Sequence, residues 1–189
     1  MGSSKSDRFA GWSAYLSAAT TIIGFITLIL FFSVGQPFGT INDVASIFIA
    51  PAILPALFAL YRLQRASHPM MSLGALVIGS FSALIAALLQ TLFVFKVISG
   101  EQSGEIVTIA FGVFGISLAA FNYLVYTNKS FSPQLAIWGI VAGVGYAVVT
   151  LGFLLGGQDH PLTYVGGLAA IVAYPVWAIW FGKLLLSRK

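Results

Sequence analysis

Asn42–Arg65, NDVASIFIAPAILPALFALYRLQR, decides the fold. It opens on polar residues, runs uncharged from Val44 to Tyr61, and stops at Arg62 and Arg65. A helix needs about 20 apolar residues to cross a bilayer core of about 30 Å, and this stretch supplies them. Its two prolines, Pro51 and Pro55, lie one helical turn apart. The rest of the chain repeats the plan without the proline pair: apolar span, short polar joint, apolar span.

Composition agrees. The chain has 189 residues, 59% hydrophobic and only 7% charged. Its mean hydropathy is +0.97. A soluble domain carries roughly 25% charged residues, and a small one still needs a polar surface. Lipid contact is what remains. The absence of cysteine excludes disulfides, thiol catalysis and cysteine-held zinc or iron–sulfur sites. The net charge of +4 is distributed by topology, with no basic patch for nucleic acid. At the N-terminus, Met1–Ser6 fits the short M-G-x-x-x-[ST] acylation pattern, but the residues are read as a plain polar tail. The first apolar run exceeds the roughly 7–15 residues of a signal-peptide core, so it is read as an uncleaved span.

Six spans are expected: Ala10–Ser33, Asp43–Leu63, Met70–Phe95, Glu105–Thr127, Gln134–Leu155 and Leu162–Leu186. Residues 1–9 then form a short cytoplasmic tail, 10–186 a single transmembrane domain, and 187–189 a cytoplasmic end. Long continuous apolar runs mean helices, because barrel strands would alternate. The expected fold is therefore all-α, a compact six-helix membrane bundle. With the N-terminus inside, the inner segments hold Lys5, Arg8, Arg62, Arg65, Lys129, Lys183, Arg188 and Lys189, and the outer joints hold only Lys96. That division follows the positive-inside rule and puts both termini in the cytoplasm. Gly35-Gln36-Pro37 and Gly157-Gln158-Asp159-His160-Pro161 follow spans 1 and 5, a faint echo of a repeated hairpin.

Few residues offer chemistry. Pro51 and Pro55 remove the hydrogen bonds to the carbonyls of Ile47 and Pro51. Such carbonyls can bind a cation or substrate, or nearby hydroxyls can satisfy them, with Ser46 the closest in sequence. Gln90 and Asn122 lie within spans and can bind a ligand or hydrogen-bond between helices. Asp43, Glu101, Glu105, Asp159 and His160 gather on the outer side without the spacing of a metal site. Asp43 and Glu105 are read as helix caps, and His68 as a solvated loop residue. No Asp, Glu, Lys, Arg or His lies inside the spans away from their ends, unlike most ion pumps and proton-coupled carriers. Gly139/Gly143, Gly152/Gly156, Gly112/Gly115 and Ser80/Ala83/Ala87 predict close helix packing within the bundle. Trp12, Trp138, Trp177 and Trp180 predict an interfacial belt.

The ending Tyr174-Pro175-Val176-Trp177-Ala178-Ile179-Trp180-Phe181-Gly182-Lys183-Leu184-Leu185 resembles the tails of uncharacterised bacterial multi-span membrane proteins. The resemblance covers one span and implies a bacterial cytoplasmic membrane, with no activity and no site residue. The chain is thus expected to be a non-enzymatic integral membrane protein without cofactor or metal. It would bind an apolar small molecule or lipid, or serve as a partner subunit. The alternative is a small transporter or channel using Pro51 and Pro55, with Gln90 and Asn122. A membrane enzyme using the outer carboxylates and His160 is the third reading.

Overall fold

A computed structural model of the chain describes residues 5–188. The acylation-pattern residues before Lys5, and Lys189, lie outside them. Among the described residues the chain forms six helices and no strand: α1 (Lys5–Val34), α2 (Phe38–Gln64), α3 (Pro69–Val94), α4 (Gly100–Asn128), α5 (Pro133–Gly156) and α6 (Pro161–Ser187). Each is long and apolar enough to cross a membrane, so the chain is an all-α, multi-pass membrane protein. Antiparallel neighbours put both chain ends at one end of the bundle, the terminal end. The α1–α2, α3–α4 and α5–α6 joints lie at the other, the distal end.

The helices begin earlier than the apolar spans suggest. α1 starts at Lys5 and not Ala10, and α2 starts at Phe38, so Asp43 lies in its second turn and caps nothing. Glu105 is likewise inside α4, whose cap is Ser99. The Ser99 hydroxyl accepts from Gln102 N while the Gln102 side chain accepts from Ser99 N, a capping box. Polar residues can extend a helix beyond the hydrocarbon, where water remains as an alternative partner. At the distal joints Gly35 and Gly157 adopt positive φ, +93° and +77°. Their N–H groups bond back to Phe31 and Phe153 carbonyls, ending α1 and α5 in the same way.

Each helix packs on its chain neighbours, and α6 packs on α1, which closes a ring. α2 also touches α4, so α3 rides in the groove between them. Its buried residues, from Ser72 to Ala87, are all small. Three seams of the ring are glycine pairs. A Cβ at Gly143 in α5 would collide with the Gly115 carbonyl of α4 and lie 2.6 Å from Ala119 N. On α5's other side a Cβ at Gly145 would lie 3.0 Å from the Gly166 carbonyl of α6. A Cβ at Gly182 in α6 would lie 2.8 Å from the Gly11 carbonyl of α1. The GxxxG glycines likewise face neighbouring helices: Gly139 meets Asn122, and Gly152 meets Thr163. Close packing inside the bundle is their role, as the spacing predicts.

Toward the terminal end the ring's axis is filled. α6 turns Tyr174, Trp177 and Phe181 inward at helical spacing, all fully buried. Trp177 and Phe181 stack at 5.4 Å, Tyr174 meets Tyr146 at 5.9 Å, and Phe181 meets Phe131 at 5.6 Å. Phe111 stacks on Tyr146 at 5.7 Å. Trp177 therefore does not belong to an interfacial belt. Its position near a span end suggested the interface, but its face of α6 points to the core. Trp12, at 63% exposure, does face outward.

Gly143→Val would force a side chain into backbone at the α4–α5 seam. We expect a loss of about 1–3 kcal/mol in detergent unfolding titrations, the usual range for overpacking. Gly167→Ala, which meets nothing within 4 Å, should leave the midpoint unchanged.

Candidate functional site

The proline pair does not reach the axis. Pro51 is exposed and Pro55 half-buried, and both line a groove on the outside of α1 and α2 with Phe9, Trp12, Leu16 and Phe48. In this groove and beside it, hydroxyls from α1 meet the backbone of this segment. Ser13 Oγ donates to the Ala52 carbonyl at 2.6 Å, and Ser17 Oγ donates to the Ile49 carbonyl at 3.1 Å. Ser46 is not the donor, since its hydroxyl turns back to the Asn42 carbonyl. The carbonyls that the prolines free are those of Ile47 and Pro51, so the serines bond their neighbours in the same segment. Their role is to tie α1 to α2 beside the break. Ser17 also bonds the Tyr174 hydroxyl at 2.5 Å, tying α1, α2 and α6 together.

Above that junction lies a cavity of about 170 Å³. Five helices line it: Thr21, Gly24, Phe25 and Leu28 from α1, Asn42, Ser46 and Ile49 from α2, Phe111, Tyr146 and Ile171 from α4, α5 and α6. At about 1.5 Å per residue it runs from Asn42, roughly 6 Å below the distal end of α2, down to Thr21, roughly 20 Å below that of α1. The Phe111–Tyr146 stack and the aromatic column continue from it toward the terminal end. The polar groups are all uncharged. Thr21 donates to the Ser17 carbonyl and Ser46 to the Asn42 carbonyl. Among the described residues, nothing hydrogen-bonds to the Tyr146 hydroxyl. The arrangement can hold a small neutral molecule with one or two hydrogen-bonding groups. Sequence reading singled out none of these residues as a site, and Ser46 only as a hydroxyl near the carbonyls that the prolines free. A tyrosine or threonine in a span carries no signal until the helices are assembled.

Of the other predicted candidates, Asn122 is buried in the core. Its Oδ1 accepts from Trp177 Nε1 at 2.8 Å, and its Nδ2 donates to the Leu118 carbonyl. It is interhelical glue between α4 and α6. Gln90 lies near the distal end, where Nε2 donates to Asp43 Oδ1 at 3.5 Å. The structure therefore brings Pro51 and Pro55 to one groove but leaves Gln90 and Asn122 elsewhere, each with its own partner.

At the terminal end a polar cluster was missed. Gln64, fully buried, accepts from Asn128 Nδ2 at 2.8 Å and donates to Ser130 Oγ at 3.2 Å. His68 Nε2 lies 3.2 Å from Asn128 Oδ1. His68 is thus half-buried and bonded, and not a solvated loop residue. The fold folds the α2–α3 joint onto the end of α4. Arg62 pairs with Asp7 and lies 5.6 Å over the Phe58 ring. On the distal side, His160 Nδ1 caps α6 by accepting from Leu162 N, and Asp159 accepts from the Tyr164 hydroxyl. No three His, Asp or Glu residues lie close enough to share a metal ion among the described residues. Comparison with protein families, curated proteins and solved structures finds no match to this chain.

Ser13→Ala should lower stability by about 0.6 kcal/mol, the average for a hydrogen bond between membrane helices, and by no more than about 1.7. The same change made in a Pro55→Ala background should cost the same, because Pro55 frees the Pro51 carbonyl and not that of Ala52. A double-mutant cycle in detergent unfolding measures the coupling. A smaller cost in the Pro55→Ala background would tie the serine to the proline.

Proposed function

We propose that this integral membrane protein binds a small neutral molecule in the central cavity, and that binding is its role. The observation that carries the reading is the pairing of Tyr146, with its unpartnered hydroxyl, and a lining that is otherwise apolar, aromatic or neutral polar and carries no charge, which charged solutes would avoid. The volume admits several waters' worth of ligand. It is below the roughly 300–1,000 Å³ of a drug-sized pocket. The filled aromatic column beneath supports a binding protein over a channel. The outer-face enzyme has less support, since Asp43, Asp159 and His160 bond a neighbour or a helix end and no three of the acidic and histidine residues cluster among the described residues.

In the same reading the terminal end faces the cytoplasm of a bacterial cell. Lys5, Arg8, Arg62, Arg65, Lys129, Lys183 and Arg188 collect there, against Lys96 at the distal end. The positive-inside rule supports that orientation. A reporter that fluoresces only in the cytoplasm, fused after Lys189, should be bright, and the same reporter inserted after Gln158 should be dark. The reverse pattern would invert the topology.

The ligand is tested by releasing the protein from its own membrane in mild detergent and weighing it intact. Wild type should retain one small neutral molecule. Tyr146→Phe should lower the retained fraction about 2- to 10-fold, the worth of one neutral hydrogen bond. Ser46→Leu, which fills the cavity, should abolish retention. Equal retention in all three would place the molecule elsewhere and overturn the reading.

A further inference from the structure

A second, separate pocket lies at the distal end between α2 and α3. It has a volume of about 160 Å³ and is lined by Thr40, Asp43, Phe93, Val94 and Lys96. Asn42, the residue beside Asp43, lines the central cavity, so the two pockets use opposite faces of α2. This one carries both signs of charge. Asp43 is half-buried and Lys96 exposed. They border the same space, yet no ion pair joins them. Gln90 reaches Asp43 only at 3.5 Å, the long limit, and the neighbouring Asn42 side chain also hydrogen-bonds it, which leaves room on an ionised carboxylate that can accept about four donors.

The backbone holds Lys96 in place. α3 ends in a Schellman turn: Lys96 N donates to the Phe93 carbonyl at 2.8 Å, and Val97 N donates to the Leu92 carbonyl at 2.8 Å. Lys96 takes the left-handed position of that turn, φ +58°, which glycine usually fills. Lys129 does the same at the end of α4, so the conformation alone does not mark a site. What distinguishes Lys96 is the pocket it borders and the carboxylate across it. Phe95 and Val97 on either side are 74% and 67% exposed, an apolar shelf just past the end of the membrane-length helix α3.

We propose that this pocket binds a zwitterion carrying a primary ammonium and a phosphate: the ethanolamine phosphate headgroup of a lipid, or the free headgroup. The ammonium lies against Asp43, where it can donate hydrogen bonds to the carboxylate, and the phosphate against Lys96. Phe93, Val94 and the flanking apolar shelf contact the carbon chain. A quaternary ammonium has no N–H to donate, and an anionic glycerol headgroup offers Asp43 only neutral hydroxyls, without a cation to offset the repulsion between carboxylate and phosphate.

The test offers the purified, delipidated protein an equal mixture of phosphatidylethanolamine, phosphatidylcholine and phosphatidylglycerol with identical acyl chains, and counts retained lipid by native mass spectrometry. Wild type should retain phosphatidylethanolamine at least fivefold over either competitor. Asp43→Asn should erase the preference over phosphatidylcholine, and Lys96→Gln should lower phosphatidylethanolamine retention about fivefold. Soluble phosphoethanolamine that displaces the lipid shows that the headgroup suffices. Failure to displace it, with the lipid preference intact, assigns the site to the lipid-borne form. Equal retention of the three lipids by wild type overturns the proposal whether or not the variants fold. So does a preference that survives Asp43→Asn unchanged.

Discussion

The backbones of α4 and α5 meet at Gly115 and Gly143 with no room for a side chain on either. The same condition recurs where α5 meets α6 at Gly145 and Gly166, and where α6 meets α1 at Gly182 and Gly11. In lipid there is no hydrophobic drive to bring helices together, so packing at such contacts and the hydrogen bonds beside them carry the association. These seams draw α4, α5, α6 and α1 into an arc. α2 closes the ring with larger residues, Ile53, Leu57 and Leu60, turned inward. The narrow arc leaves little axial space, and Tyr174, Trp177 and Phe181 fill what there is. The cavity survives above them because Gly24, Thr21, Ser46 and Asn42 are too small to close it.

The second constraint is the bilayer's refusal to hydrogen-bond backbone. Two prolines in α2 would be costly there without compensation. α1 packs Ser13 and Ser17, spaced one turn apart, on this segment, with bonds to the carbonyls of Ala52 and Ile49 beside the freed ones of Ile47 and Pro51. Ser17 also reaches Tyr174, so the α1–α2 contact and the top of the aromatic column share one hydroxyl. The prolines themselves face outward.

Much of this was legible in the sequence. Six apolar runs, with Gly35, Pro69, Pro133 and Gly157 in the joints, define the six helices, and the small-residue spacings mark close packing. What was not legible is direction. Trp177 and Trp180 look equivalent in a span end, yet one is fully buried on Asn122 and the other is 38% exposed. Gly11 and Gly182 have no motif between them, because they belong to helices at opposite ends of the chain. Asp43 and Glu105 looked like caps because hydropathy ends a span where charge begins, whereas the backbone ends a helix where its N–H groups find other partners. The cavity was invisible for the same reason as the seams. Its five walls come from five helices, and no single helix carries its pattern.

The proposed binding needs the cavity to be blind, entered from the distal end and closed beneath by the aromatic column. The chain's lack of cysteine makes single-cysteine accessibility the direct measurement, with an impermeant maleimide applied to each face of sealed vesicles. Ser46→Cys should react from the distal side only, and Ala178→Cys, fully buried beside the column, should react from neither. Reaction at Ala178→Cys, or reaction at Ser46→Cys from the terminal side, would mean a path runs through the bundle and would contradict the account.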